Sequence, residues 1–134
     1  MTVFVDTSAL YAALDAGDRH HDEAREAFGQ VFAAKEDLVT HDFVVIETSA
    51  LVQRRLPPLA LADLHRRLLG VIRVDQVPAG MRDRAIAAVV AAPRGPSLVD
   101  RVSFEFIFER AIRSALAFDG HFEAMGIAPL RPSA

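Results

Sequence analysis

The sequence predicts an α/β domain in which a central parallel sheet of four to five strands is flanked by helices on both faces. Two observations predict this fold class: short β-rich segments alternate with helical segments along the chain, and the connections between them are short. The length of 134 residues suits one domain spanning residues 1–134, and a hydrophobic content of 51% supplies its core.

In the first third of the chain, apolar spacing locates the elements. Residues 2–5 are β-rich and predict a buried strand, and residues 9–14 predict a short helix that stops near Gly17. A second helix is expected from Asp18, because apolar residues follow at helical spacing, namely Ala24, Ala27, Phe28 and Val31. Residues 38–40 suit the second strand.

In the middle of the chain, proline and glycine mark the predicted ends of the helices. A helix from Asp42 ends before Pro57, and its expected apolar stripe consists of Phe43, Ile46, Ala50 and Leu51. Gly70 is the expected C-terminal cap of a further helix, whose apolar positions are Leu61, Leu64 and Leu68. Residues 71–74 follow as the third strand.

The last third predicts two helices, a strand and a helical turn. A proline suits the opening of the helix expected over 78–92, which a second proline stops. A strongly apolar helix is expected over 97–112 and a strand over 114–118. The chain then forms a helical turn over 119–125, which Gly126 ends.

Composition excludes several classes of protein. The absence of cysteine removes disulfides, thiol nucleophiles and cysteine-based metal sites. No apolar run approaches 18 residues and the N-terminus lacks a signal-peptide pattern, so a cytoplasmic protein without membrane association is expected. The net charge of −3 is not typical of nucleic-acid binders, so a polyanionic substrate would need a local basic patch or cations carried by acidic groups.

Four acidic residues are expected to converge on one site. Asp6 directly follows the first strand and Asp119 the last predicted one, and ligands bind outside the carboxyl ends of strands in such sheets. Glu47 lies on the predicted apolar stripe of its helix. Asp100 is expected to turn inward with Phe104, Ile107 and Phe108. A carboxylate on a buried face is costly unless a cation or hydrogen-bond donors meet it.

Each acid also has a purely structural explanation. Asp6 and Asp119 suit helix N-caps, and Asp100 has the capping-box spacing from Ser97. Glu47 could reach the rim of its helix or pair with an arginine. One shared cause accounts for all four better than four separate ones. Without a ligating cluster of cysteine or histidine, the acids indicate one or two Mg²⁺ or Mn²⁺ ions.

The motifs around these acids resemble those of PIN-domain ribonucleases, in particular the VapC-like toxins of toxin–antitoxin pairs. In order and spacing they are residues 6–11, residues 20–24, Glu47 within a helix, residues 98–104 and residues 118–122. The resemblance covers nearly the whole chain. One departure is Ala117, which stands where the family often carries threonine, so a hydroxyl that could assist the site is missing.

The resemblance implies a metal-dependent endoribonuclease that leaves 5′-phosphate and 3′-hydroxyl ends. In this interpretation Asp6 and Asp100 are the central catalytic metal ligands, and Asp119 and Glu47 complete the site directly or through water. Single-stranded or looped RNA is the expected substrate, because its bases can be splayed and read. The expected partners are a VapB-like antitoxin whose C-terminal segment covers the site and a second copy of this chain, forming a homodimer within a toxin–antitoxin hetero-oligomer.

Several further residues are candidates for auxiliary roles. Ser8 and Ser103 could hold a metal-bound water or a carboxylate, with local capping as the alternative. The pair formed by His20 and His21 is expected to be a solvated helix start, because adjacent helical residues point in different directions. His121 could approach the site from its turn. The candidate phosphate contacts are Arg54, Arg55 and Arg101, although such arginines are more often surface charges or partners of neighbouring acids.

Two rival functions remain open from the sequence. One is a catalytically degenerate PIN-fold binding module whose acids only cap helices. The other is a haloacid-dehalogenase-like phosphatase, which also begins with an aspartate after the first strand. That enzyme needs a second aspartate two positions on, where this chain has Ser8, and a late lysine, whereas Lys35 is the only lysine.

Overall fold

The computed structural model describes residues 1–133, and within them it forms one five-stranded sheet. The strands are β1 (Thr2–Val5), β2 (Asp37–His41), β3 (Arg73–Asp75), β4 (Ser114–Leu116) and β5 (Ala128–Pro129). They lie in the order β3-β2-β1-β4-β5, and every neighbouring pair is parallel. Nearly all residues of β1, β2 and β4 are buried, as expected for a parallel sheet covered on both faces.

Seven α-helices connect the strands in this part of the chain. They are α1 (Thr7–Leu14), α2 (His21–Ala33), α3 (Asp42–Arg55), α4 (Pro58–Asp63), α5 (Ala79–Ala91), α6 (Leu98–Glu109) and α7 (Gly120–Ala124). The predicted fold class is confirmed. None of these helices is long and apolar enough to cross a membrane.

The largest boundary error lies between α4 and β3. After α4 the chain continues through a wider π-helical turn over Leu64–Leu68 and a 3₁₀ turn over Leu69–Val71. Gly70 therefore lies inside the last turn instead of capping a helix, and the third strand begins two residues later than predicted. The very short β5, with a proline as one of its two residues, was not predicted.

The start of α2 also differs from the prediction. The helix begins at His21 and not at Asp18, because the Oδ1 atom of Asp18 accepts a hydrogen bond from the backbone N–H of His20 at 2.8 Å. That bond closes a turn of the kind in which aspartate competes with helix formation.

An aromatic cluster in the core joins the elements that carry three of the acids. Phe4 of β1 packs against Phe106 of α6 and Phe122 of α7, with ring centroids 5.7 and 6.1 Å apart. All three side chains are fully buried. Because Asp6, Asp100 and Asp119 lie on or beside the same three elements, the cluster fixes their relative positions.

Candidate active site

All four predicted carboxylates line one cleft of about 580 Å³. The backbone N–H of Asp6 bonds to the carbonyl of Leu116 at 3.0 Å, so the ends of β1 and β4 meet at the cleft. Helices α3 and α6 close the sides. The acidic residues of the lining are Asp6, Asp18, Glu47, Asp100 and Asp119. The predicted convergence at the carboxyl ends of the strands is therefore what the structure shows.

Asp6 is the most deeply buried of the acids, with 2% of its surface exposed. Its Oδ2 atom caps α1 by accepting hydrogen bonds from the backbone N–H of Ser8 at 3.1 Å and from the Ser8 hydroxyl at 2.7 Å. Its Oδ1 atom is buried and has no hydrogen-bond partner among the described residues. Helix capping thus uses one oxygen of the carboxylate and leaves the other free for a cation.

The two serines with predicted auxiliary roles have different positions. The Ser8 hydroxyl holds the Asp6 carboxylate and accepts a hydrogen bond from the backbone N–H of Phe118 at 2.9 Å, which links β1 to the segment after β4. Ser103 is fully buried outside the cleft lining. Its hydroxyl donates to the carbonyl of Val99 at 3.0 Å and lies 2.8 Å from Nε2 of His41. In the structure Ser103 therefore makes hydrogen bonds near its own helix, which is the alternative expected from the sequence, and it does not line the cleft.

The buried His41 explains why Ser103 points away from the acids. Nδ1 of this histidine accepts a hydrogen bond from the backbone N–H of Val44 at the start of α3, so Nε2 carries the proton and donates to Ser103. Burial lowers the pKa of His41 to about 4, so the ring is neutral near pH 7. Ser103 is thus part of the support of α3.

Glu47 reaches the cleft, but the predicted buried stripe of its helix was wrong. The buried residues of α3 are Val44, Thr48 and Val52, whereas Ile46 is 69% exposed. The apolar pattern does not indicate this buried face, because the polar residue Thr48 lies at its centre. There the Thr48 hydroxyl donates a hydrogen bond to the Thr7 hydroxyl at 2.9 Å. Glu47 lies beside the true stripe and is half-buried at the edge of the cleft.

Asp100 lies in the first turn of α6 and is buried. The Ser97 hydroxyl accepts a hydrogen bond from the backbone N–H of Asp100 at 3.1 Å, so this half of the expected capping box is present. Phe104 and Ile107 turn inward as predicted, but Phe108 is 52% exposed. The inward face of α6 is therefore narrower than the sequence suggested, and it still places Asp100 in the cleft.

Asp119 caps α7 and brings a histidine into the cluster. Its Oδ1 atom accepts a hydrogen bond from the backbone N–H of His121 at 2.9 Å. The imidazole Nδ1 of His121 lies 3.1 Å from Oδ1 of Asp119 and 3.3 Å from Oδ2 of Asp100. The predicted site residues did not include His121. The only signal in the sequence was its place two residues after Asp119.

The pKa values of the carboxyl groups show that the cleft resists negative charge. Burial raises the pKa of Asp6 to about 7, and the charges of Asp100 and Glu47 add to the rise while hydrogen bonds from Ser8 oppose it. Burial also raises the pKa of Glu47 and of Asp100, and the nearby charge of Asp119 adds to both shifts. A cation in the cleft would relieve both burial and repulsion.

The donor set fits a hard divalent ion. Carboxylate oxygens are the usual protein ligands of Mg²⁺ and Mn²⁺, and one oxygen of Asp6 is buried without a partner. Atoms of Asp100, Asp119 and His121 that could ligate a metal lie within 4.8 Å of one another. These observations agree with the metal chemistry predicted from the acidic residues.

Two aromatic rings form one wall of the cleft, and two arginines lie beside them. The ring of His20 stacks on Phe118 with centroids 4.6 Å apart and 12° between the planes. The guanidinium of Arg131 lies 4.7 Å from the centroid of the Phe118 ring, and Nε of Arg19 donates to His20 at 3.1 Å. The predicted helix start is confirmed, since His20 is the N-cap of α2 and His21 its first residue, but the His20 ring lines the cleft instead of being only solvated.

The candidate phosphate-binding arginines have other contacts. Arg101 donates hydrogen bonds to four backbone carbonyls, those of Ala88, Ala92, Arg94 and Pro96, and so ties the loop before α6 to α5. The guanidinium of Arg55 lies 5.9 Å from the ring centroid of Tyr11 at the cleft. Arg54 is exposed at the end of α3.

Residues 3–128 match the model of the PIN domain family. The chain is also 37% identical over 133 residues to the 23S rRNA-specific endonuclease VapC20 of Mycobacterium tuberculosis, covering 97% of this chain and 98% of that protein. The chain therefore belongs to the PIN-domain family, and within it to the VapC-type ribonucleases. The family resemblance read from the motifs is confirmed, and the phosphatase alternative falls away.

Solved structures agree with this assignment. The crystal structure of Mycobacterium tuberculosis VapC20, described as a Sarcin-Ricin loop cleaving toxin, is similar at a TM-score of 0.82 and 34% identity, covering 97% of this chain and 99% of that one. VapBC2 from Rickettsia felis, bound to a DNA fragment of its promoter, is similar at 0.70 and 10% identity, covering 96% and 97%. FitAcB from Neisseria gonorrhoeae is similar at 0.62 and 16%, covering 98% of both chains. These last two show the fold alone.

Asp6→Asn is expected to stabilise the chain in the absence of metal ions at neutral and higher pH. The pKa of Asp6 is about 7 in the folded chain against an ordinary value of 3.8. As the pH rises, the unfolded chain therefore loses this proton at a lower pH than the folded chain does. The free energy of unfolding of the unsubstituted chain therefore falls as the pH rises between those two values, and asparagine does not titrate. By about pH 8 the variant should be more stable by roughly 2–4 kcal/mol.

Urea unfolding in chelator across this pH range measures the difference. Asp83→Asn, which removes an exposed carboxylate from α5, is the matched control and should show no such trend. A stability difference for Asp6→Asn that is the same at every pH would contradict the raised pKa.

Proposed function

We propose that this chain hydrolyses phosphodiester bonds in RNA with one or two Mg²⁺ or Mn²⁺ ions held by Asp6, Glu47, Asp100 and Asp119. The observation that carries the proposal is the convergence of the four carboxylates in one cleft, with a buried oxygen of Asp6 left unpartnered. Such a cleft repels RNA unless cations change its charge. Membership of the VapC-type ribonucleases supports the same activity.

The roles of the residues follow from their positions. When bound, a divalent ion would supply Lewis-acid stabilisation of the phosphodiester and a water of lowered pKa. Asp6 and Asp100, the two buried acids, are the central ligands, and Ser8 holds the Asp6 carboxylate in place through its hydroxyl. Asp119 and Glu47 complete the site directly or through water. By family resemblance the products carry 5′-phosphate and 3′-hydroxyl ends.

The substrate that we propose is a looped segment of ribosomal RNA. The relative VapC20 is named as specific for 23S rRNA and as cleaving the Sarcin-Ricin loop, and it aligns over nearly the full length of this chain. The wall formed by His20 and Phe118 offers aromatic surface beside the acids, on which an unpaired base can stack. Arg19 and Arg131 place positive charge next to that wall.

Cleavage of a sarcin–ricin loop hairpin by the purified chain tests the proposal. We expect cleavage with Mn²⁺ or Mg²⁺, none in chelator, and a rate about a hundredfold or more lower for Asp100→Asn, because displaced metal removes several kcal/mol of transition-state stabilisation. Loss of cleavage in Asp100→Asn also excludes a contaminating ribonuclease, and Asp83→Asn, an exposed position of α5, should cleave like the unsubstituted chain and controls for unspecific effects of removing a carboxylate.

Two results would contradict the nuclease proposal. One is cleavage that persists in chelator or is equally fast with Asp100→Asn. The other is saturable Mn²⁺ binding with no cleavage of this hairpin or of a mixed pool of structured RNA, which would favour the catalytically degenerate binding module. Cleavage of the pool but not of the hairpin would show that the sarcin–ricin loop is not the substrate, whereas the proposed hydrolysis of RNA would still hold.

We further propose that a VapB-like antitoxin binds an apolar groove beside the cleft. The groove, of about 360 Å³, is formed mainly by α1, α2 and the turns after α4, and its apolar lining includes Ala13, Leu14, Phe28, Phe32, Leu68 and Val71. Helix α1 borders both sites, since Ser8 and Tyr11 line the cleft. One extended segment of a partner could therefore fill the groove and cover the acids.

Phe32→Glu is expected to weaken this complex without loss of cleavage. Phe32 is 41% exposed in the groove, and a carboxylate in its place would lose both the apolar contact and its own hydration when the partner covers the groove. Calorimetry with the small protein encoded beside this chain should show an affinity at least about tenfold lower. Phe108→Glu is the control, because Phe108 is a 52% exposed phenylalanine of α6 outside the groove lining; equal effects of both variants would contradict the proposed groove.

A further inference from the structure

His121 is placed among the carboxylates as a neighbouring metal ligand would be. Its Nδ1 atom is 3.1 Å from Oδ1 of Asp119 and 3.3 Å from Oδ2 of Asp100. Metal–ligand bonds of about 2.1 Å that meet at right angles put adjacent ligand atoms about 3 Å apart. The nitrogen therefore has the same spacing from both oxygens as adjacent ligands of one octahedral ion.

The backbone holds the imidazole in this place. The N–H of His121 donates to the Asp119 carboxylate, and the following residue, Phe122, is buried in the core. The Phe122 ring packs against Phe4 and Phe104 with centroids 6.1 and 5.1 Å apart. Because α7 is anchored at the residue next to His121, the histidine is presented to the acids by the fold itself.

A second observation points to an ion in the same cleft. The Oδ1 atom of Asp6 is buried and unpartnered among the described residues, although polar atoms in protein interiors are nearly always paired. Asp6 lies close enough to Asp100 for their charges to interact. The cluster of acids and histidine is thus accompanied by a buried oxygen that needs a cation.

We propose that Nδ1 of His121 binds the metal ion of the cleft directly, beside one oxygen each of Asp100 and Asp119, and that this nitrogen favours Mn²⁺ over Mg²⁺. The inference rests on the metal-dependent function proposed above. Both ions bind carboxylate oxygen, but Mg²⁺ is bound almost entirely through oxygen and water, whereas Mn²⁺ is a first-row transition-metal ion and accepts a nitrogen ligand more readily. The assignment adds to the carboxylates a ligand that sets which ion the site selects.

A hydrogen bond from Nδ1–H to the two carboxylates would give similar distances, so the test must detect the metal–nitrogen bond itself. Electron spin echo envelope modulation of Mn²⁺ bound to the chain reports directly coupled nitrogen. We expect a ¹⁴N coupling in the unsubstituted chain that changes to ¹⁵N on labelling the histidines. It should disappear in His121→Ala and persist in His20→Ala, which removes the other cleft-lining histidine.

Calorimetry with each metal alone measures the selectivity. In His121→Ala the affinity for Mn²⁺ should fall at least about tenfold, a loss that even indirect partners of a ligand cause when mutated. The affinity for Mg²⁺ should change less, so the ratio of the two affinities moves toward Mg²⁺. His20→Ala should leave the ratio unchanged.

Each other result overturns the assignment. Bound Mn²⁺ without a histidine nitrogen coupling in the unsubstituted chain, or a coupling that survives in His121→Ala, would show that His121 is not a ligand while the proposed nuclease function stands. If the ratio of the Mn²⁺ and Mg²⁺ affinities is unchanged in His121→Ala, His121 does not make the site favour Mn²⁺. If the unsubstituted chain and Asp100→Asn bind Mn²⁺ equally weakly, the metal-dependent function fails as well.

Discussion

The burial of Asp6 among other carboxylates is the interaction on which the arrangement of the cleft depends. Removing a carboxylate from water and placing it near Asp100 and Glu47 raises its pKa to about 7, so the folded chain alone stabilises its ionised form poorly. Ser8 satisfies one oxygen, and the other has no donor among the described residues. A divalent cation is the partner that would compensate both burial and repulsion.

The rest of the core keeps these acids from moving apart. Phe4, Phe106 and Phe122 pack together and connect β1, α6 and α7, while the neutral His41 with Ser103 ties the start of α3 to α6. The buried, mutually repelling carboxylates destabilise the fold, and apolar packing in the core offsets this loss of stability. Functional sites are commonly destabilising and are supported in this way by the rest of the fold. Three of the four acids of the cleft thus lie at strand ends or helix starts, and Glu47 lies in the second turn of α3; positions on strands and helices are rigid.

The sequence predicted the fold class and the convergence of four acids because both follow from local rules. Strands alternate with helices, and Asp6 and Asp119 come after strands that lie side by side. The sequence misled about α3, where Thr48 at the centre of the buried face interrupts the apolar pattern that periodicity arguments need. It missed the stacking of His20 on Phe118, because contacts between residues far apart in the chain leave no periodic trace. For His121 the sequence indicated an approach to the site from the turn after Asp119, but not the contact with Asp100.

Anomalous diffraction from crystals grown with Mn²⁺ is the most direct test of whether the acidic cleft is a metal site. We expect an anomalous peak in the cleft within bonding distance of oxygens of Asp6 or Asp100, with Asp119 beside it. No peak there at a saturating Mn²⁺ concentration, or a peak only at surface carboxylates elsewhere, would show that the cleft is not a metal site and would leave Asp6 and Asp119 as helix caps alone.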